Sequence, residues 1–160
     1  MAKLQDCQFI EIKVDNKIIA GSSEEKDYSK WMEGYASAGL TTMSGSDGVY
    51  FDSIDMSIIV TKETSNLFEQ YLKRGYKEIV ITIVHRASDQ YDQNYEVQRT
   101  VYNNCRIQCL KFELRSKLFI DLSFVFEGAV EVTFNVPNAA ETGLDKIGPI
   151  KYDIPKKTLL

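Results

Sequence analysis

Alternation of apolar and polar residues with a period of two runs through most of this chain and leaves few folds open to it. Between residues 79 and 86, Ile79, Ile81, Ile83 and His85 share one face, while Val80, Thr82, Val84 and Arg86 share the other. In the next such run Tyr95, Val97, Arg99 and Val101 oppose Glu96, Gln98, Thr100 and Tyr102. Further on, Leu118, Ile120, Leu122, Phe124 and Phe126 lie to one side; past Glu127-Gly128 the pattern resumes with Val130, Val132, Phe134 and Val136. That pattern predicts two long adjacent strands around a tight turn or bulge at Gly128. Further candidates are Phe9 to Val14, Trp31 to Ala38, Ser53 to Thr61 and Arg106 to Leu114, giving about eight strands in all.

One segment departs from this rule. Leu67, Phe68, Tyr71 and Leu72 recur at i, i+1, i+4 and i+5, which makes one stripe on a helix and would mix both faces of a strand. Thr64, Ser65 and Asn66 offer N-caps, and Lys73 and Arg74 precede Gly75, so a helix is expected over 63–74. Many short strands must hide their edges. The expected fold is therefore mainly β: a small antiparallel β-barrel of two packed sheets, one flanking α-helix and a long protruding loop. With 160 residues the chain reads as a single domain over 1–160. The alternation fades over 137–160, read as an extended tail that docks through Ile147, Ile150, Tyr152 and Ile154.

The same residues exclude several kinds of function. A net charge of -4 argues against affinity built on phosphate neutralisation, so no nucleic-acid partner is expected. No apolar run approaches the roughly 20 residues that span a bilayer, and residues 1–15 mix charge and apolarity too early for a signal peptide. A cytoplasmic product with no membrane insertion follows. Three cysteines, an odd number, fit reduced thiols; on an unbroken strand Cys105 and Cys109 would share a face about 13 Å apart, too far for a disulfide or a shared metal. His85 is the one histidine and lies within a strand pattern. P-loop, G-x-S-x-G elbow, dinucleotide fingerprint and zinc spacing are absent, so neither a catalytic site, a metal nor a cofactor is expected. Asp52 with Asp55 and Asp89 with Asp92 read as solvated loop carboxylates.

What remains is an apolar excess. The connector over 38–52 is longer than most loops and carries Val49, Tyr50 and Phe51 in succession after a Ser/Gly/Asp-rich turn. Contiguous apolar area beyond the needs of one core marks contact with another chain, unless both faces are covered internally, one by the helix and the other by the tail; the pattern alone is even between the two. Thr42, Met43, Val49, Tyr50 and Phe51 are the residues expected to make such a contact with a neighbouring protomer. A monomeric β-barrel that binds a small apolar ligand in its mouth is the alternative.

The order of elements resembles the haemolysin-coregulated protein (Hcp) family, the tail-tube subunits of type VI secretion systems. The resemblance is colinear over nearly the whole chain. It rests on Trp31, Glu33 and Ser37 in a strand before a long loop, Thr61 and Lys62 closing the next strand, the Leu67-Phe68 pair in a helix, and Ile79 to Arg86 as a strand ending in arginine. The runs 95–113 and 118–138 are similar to the family's long bent strand pair and closing hairpin, and 146–154 to its C-terminal segment. The resemblance implies hexameric rings that stack into a tube inside a contractile sheath, with a spike protein at the tip and a baseplate below. It also implies effectors bound or carried in the lumen, no enzymatic activity, and export from the cytoplasm by the apparatus itself. Ser37 and Ser53, small and polar, are the candidate lumen-facing positions.

Overall fold

The computed structural model describes residues 8–36, 40–74, 78–88, 94–140 and 143–160. In chain order the strands are β1 (Gln8–Val14), β2 (Lys17–Ile18), β3 (Met32–Ala36), β4 (Thr42–Gly45), β5 (Gly48–Phe51), β6 (Ile54–Ile59), β7 (Ile79–Ser88), β8 (Asn94–Tyr102), β9 (Cys105–Leu114), β10 (Leu118–Phe126), β11 (Ala129–Pro137), β12 (Leu144–Asp153) and β13 (Thr158–Leu159). The helix α1 (Ser65–Leu72) lies between β6 and β7. The architecture is mainly β with one α-helix among the described residues, as the alternation predicts.

The strands run in the order β13-β12-β11-β8-β7-β1-β3-β6-β10-β9, with β2 on β1 and β4-β5 as a separate hairpin. The long sheet folds on itself so that β9 approaches β7 and inward side chains share one core. Ile10, Ile12, Ile58, Ile81, Ile120 and Phe124 are all but sealed from solvent there. Tyr102 packs its ring edge-on against Phe124 at 5.3 Å. The barrel is thus filled by side chains.

Strand β7 is buried on both faces. Ile79, Ile81 and Ile83 point into the main core, whereas Val84 lies in a second cluster with Phe9, Tyr28 and the partly buried Trp31. The segment after β2 covers that outer face: Gly21 donates to the Lys30 carbonyl at 2.7 Å and Ser23 to the Trp31 carbonyl at 2.9 Å.

The pair Glu127-Gly128 is a corner and not a hairpin, which corrects the expected pairing of the flanking strands. Strand β10 pairs with β6 and β9, while β11 pairs with β8 and β12. Alternation reports which face is buried but not which strand is the neighbour. A second corner at Asn103-Asn104 lies against the first: Glu127 donates to the Asn104 carbonyl at 3.0 Å and Gly128 to the Asn103 carbonyl at 3.1 Å. A Cβ on Gly128 would stand 3.0 Å from the Asn103 carbonyl oxygen, so the two corners meet at this distance because residue 128 is glycine.

Cys105 and Cys109 do not share a face. A bulge in β9 shifts register where Ser123 pairs with Cys109 and Phe124 with Ile107, placing two β9 residues against one step of β10. Cys105 is buried, Cys109 is exposed, and both are free. Burial pushes the Cys105 thiol up to about 12, which keeps it protonated and unreactive.

The helix, Ser65–Leu72, is shorter than the expected 63–74, and its apolar stripe is wider than its buried side. Leu67 is fully buried and Tyr71 packs against the core, but Phe68 and Leu72 lie outside. Thr64 turns its hydroxyl back to Thr61, donating to that carbonyl at 2.9 Å and accepting from its N–H at 2.7 Å, so it closes the preceding turn and not the helix. The left-handed residue after the helix is Arg74 (φ 59), while Gly75, the expected glycine stop, lies outside the described residues.

Beyond Pro137 the chain returns as β12, antiparallel to β11, with β13 pairing only Tyr152 and Asp153 at its far end. Ile147 and Ile150 remain exposed, while Tyr152 and Ile154 reach the core.

Candidate assembly surface

The connector after β3 folds as a hairpin arm. Thr42 pairs with Phe51, Met43 with Tyr50, Ser44 with Val49 and Gly45 with Gly48, leaving Ser46 and Asp47 as a two-residue turn. Gly48 has φ 146, a conformation that favours glycine, and so suits this close reversal. Because opposed residues share a face, Met43 and Tyr50 lie on one side of the arm, and Thr42, Val49 and Phe51 on the other.

The two faces are used differently. Phe51 is half-buried and turns toward the barrel, its ring 5.2 Å from Phe126 and 5.8 Å from Tyr152. It anchors the arm's root. Met43 is 55% exposed and Tyr50 47%, with Val49 and Thr42 also exposed. The Tyr50 hydroxyl donates to Asp47 Oδ1 at 2.5 Å, which raises the phenol above its ordinary value. At the tip the Lys157 ammonium donates to the Asp47 carbonyl at 3.3 Å, so the C-terminal segment props the arm. Ser53 is half-buried at the foot of the arm, its N–H donating to Asp52 Oδ1 at 2.9 Å. Ser37 lies outside the described residues.

A second apolar area, which sequence reasoning missed, occupies α1 and the far ends of β9 and β10. Phe68 meets Phe112 edge-to-face at 5.4 Å, and both are exposed. Leu72, Leu114 and Leu118 flank them, with Leu114 77% exposed. The legible signal was the helical stripe, which contains one more row of apolar residues than a helix needs on its buried side.

Among the described strands, the long sheet is open at two edges. No described strand pairs with the outer edge of β9, and on β12 only the β13 end is covered. Exposed apolar residues line both: Phe112 and Leu114 on β9, and Leu144, Ile147 and Ile150 on β12. Unpaired edges of this kind serve as templates for association.

The polar features are structural in geometry. On the outer face of β7 and β8 the Tyr28 hydroxyl donates to Glu96 Oε1 at 2.7 Å, and Arg99 grips the same carboxylate at 2.6 and 3.0 Å. Arg99 holds the Glu96 carboxyl below the usual range, and burial with the Glu96 bond raises the Tyr28 phenol. Arg86 stacks over Phe9 at 4.7 Å and pairs with Glu25 at 3.3 Å. His85 has both ring nitrogens buried, and burial lowers its pKa. It stands without a nucleophile or a carboxylate bonded to it among the described residues. No group of three or more His, Cys, Asp or Glu able to hold a metal occurs among the described residues. No helix there is long and apolar enough to cross a membrane.

The class that these features define is a filled antiparallel barrel with a flanking helix, a projecting apolar arm and open strand edges. Solved Hcp proteins of type VI secretion have this fold. The chain superposes on "a type six secretion system protein" with a TM-score of 0.73 at 10% identity, over 95% of this chain and 99% of that one. It matches Hcp1 from Salmonella typhimurium with a TM-score of 0.64 at 13% identity, over 96% and 99% of the two chains. The secreted protein Hcp3 from Pseudomonas aeruginosa matches with a TM-score of 0.64 at 10% identity, over 92% and 97%. No protein-family model and no curated protein matches the sequence.

Proposed function

We propose that this chain is a structural subunit of a type VI secretion inner tube. The observation that carries the reading is the whole-length agreement of fold with Hcp proteins, over 95% of this chain and 99% of the first structure compared. Sequence order, loop position and helix position agree with that fold independently of the superposition.

In this role the protein forms hexameric rings that stack into a tube, which a contractile sheath ejects with effectors bound or carried in the lumen. Ring closure needs a heterologous contact and stacking needs a further one. The open edges of β9 and β12 and the exposed face of the arm supply apolar surface for both. Thr42, Met43, Val49 and Tyr50 make the arm's contacts with a neighbouring protomer or ring, with Phe51 fixing its root from within. Ser53 and Ser37 are the proposed lumen positions. The role is structural and not enzymatic, and the partners are further copies of the chain, a tip spike, sheath and baseplate, and exported effectors. The protein is cytoplasmic until firing and is then found outside the cell.

The test is secretion. The protein should appear in culture supernatant when the contractile apparatus is intact and vanish from it when the sheath or its motor is inactivated, with intracellular levels unchanged. Equal release from both strains overturns the reading.

A further inference from the structure

We infer that the cavity between the last turn of α1 and the first residues of β7 and β9 binds the free C-terminus of a peptide whose last residue is apolar. Gln70 accepts from that residue's N–H, Arg74 and Arg106 hold its carboxylate, and Ile79 and Ile107 receive its side chain. The site is built within one chain and does not rest on the tube-subunit reading.

The cavity has a volume of about 500 Å³, and all five of these residues line it, with Tyr71 beside them. Ile79 and Ile107 are buried and form an apolar floor, while Arg74 and Arg106 are exposed at the rim. Gln70 follows the fully buried Leu67 by three residues, which puts it on the barrel side of α1, where an apolar residue is expected. It is 8% exposed, yet its buried Oε1 has no hydrogen-bond partner. A buried carbonyl without a donor costs free energy that a ligand's N–H would recover. Arg106 contacts Glu127 through Nη2 at 2.9 Å, one contact for a group with five N–H donors. Arg74 follows the helix in left-handed backbone (φ 59), its N–H donating to the Tyr71 carbonyl at 3.1 Å, and this turn sets it beside the cavity.

The helix end narrows the choice of ligand. A helix C-terminus presents carbonyls and partial negative charge, so a bare anion is poorly placed there. The two arginines offset that charge, and the Gln70 carbonyl requires a donor. The ligand must therefore bring an N–H and an anion close together over an apolar group. The last residue of a peptide does so, because its N–H, carboxylate and side chain all spring from one Cα, and capture of a C-terminal carboxylate is a general mode of peptide recognition. Water can satisfy the carbonyl but accounts for neither the two guanidinium groups nor the isoleucine floor.

The probe is an acetylated tripeptide ending in leucine, titrated into the purified protein by calorimetry beside the same peptide as its C-terminal amide and beside inorganic phosphate. The free acid should bind with a Kd below about 1 mM, and the amide and phosphate roughly tenfold more weakly or worse. Arg74→Ala, an exposed change whose fold is checked by circular dichroism, should weaken binding of the acid about fivefold or more. Gln70→Leu should weaken it similarly while melting at the same or a higher temperature, since an unpartnered carbonyl leaves a buried position. Should Gln70→Leu fail to fold, Arg74→Ala alone decides. Absence of binding by the acid, equal binding of acid and amide, phosphate binding as tight as the acid, or wild-type affinity in either folded variant overturns the inference.

Discussion

His85 sits on the inward side of β7 with neither ring nitrogen hydrogen-bonded among the described residues. Burial lowers its pKa from the ordinary 6.5. Below that value an unfolded imidazole takes a proton that the folded one resists, so stability falls as pH drops from about neutrality. Glu96, held low by Arg99, adds a separate loss that begins only near the ordinary carboxylate range. His85→Leu should therefore remove the upper part of the acid destabilisation, leave the lower part, and gain about 1 kcal/mol near pH 5.5 through loss of an unsatisfied polar group. Melting temperature against pH measures this, and an unchanged profile in the variant rejects it. The sequence placed His85 on the right face of its strand but could not show that its nitrogens find no partner. Cys109 shows the opposite limit: parity counted from Cys105 fails because one bulged residue reverses every side chain beyond it.

At the level of elements, strands were legible because each buries one face, whereas their partners were not. The run from Leu118 to Val136 reads as a hairpin, yet its halves belong to different parts of the sheet, joined through the Gly128 corner. Gly128→Ala should lower stability by about 1–3 kcal/mol, since its Cβ would press on the Asn103 backbone and force the corners apart. Urea denaturation measures this; a change below about 0.5 kcal/mol, the usual range for a surface substitution, would show that the corners yield freely. The arm was legible as an apolar connector but not as a hairpin with two differently used faces. Phe51→Ala should destabilise the fold by roughly 1–3 kcal/mol through loss of its contacts with Phe126 and Tyr152. Tyr50→Asp should leave circular dichroism and melting unchanged while weakening assembly. Equal effects of the two on melting would contradict the division of faces.

For the whole molecule, the sequence order carried the fold because length, loop position and the single helical stripe constrain a β-barrel jointly, although no individual motif does. The exposed apolar area on α1 and β9 escaped sequence reading because Phe68 and Leu72 fit a helical stripe whether or not the barrel covers them. The central claim, that this barrel is a tube subunit, is tested most directly by native mass spectrometry of the purified protein combined with negative-stain microscopy. Six-membered rings, alone or stacked, are the result expected; a monomer from micromolar to millimolar concentration would contradict it.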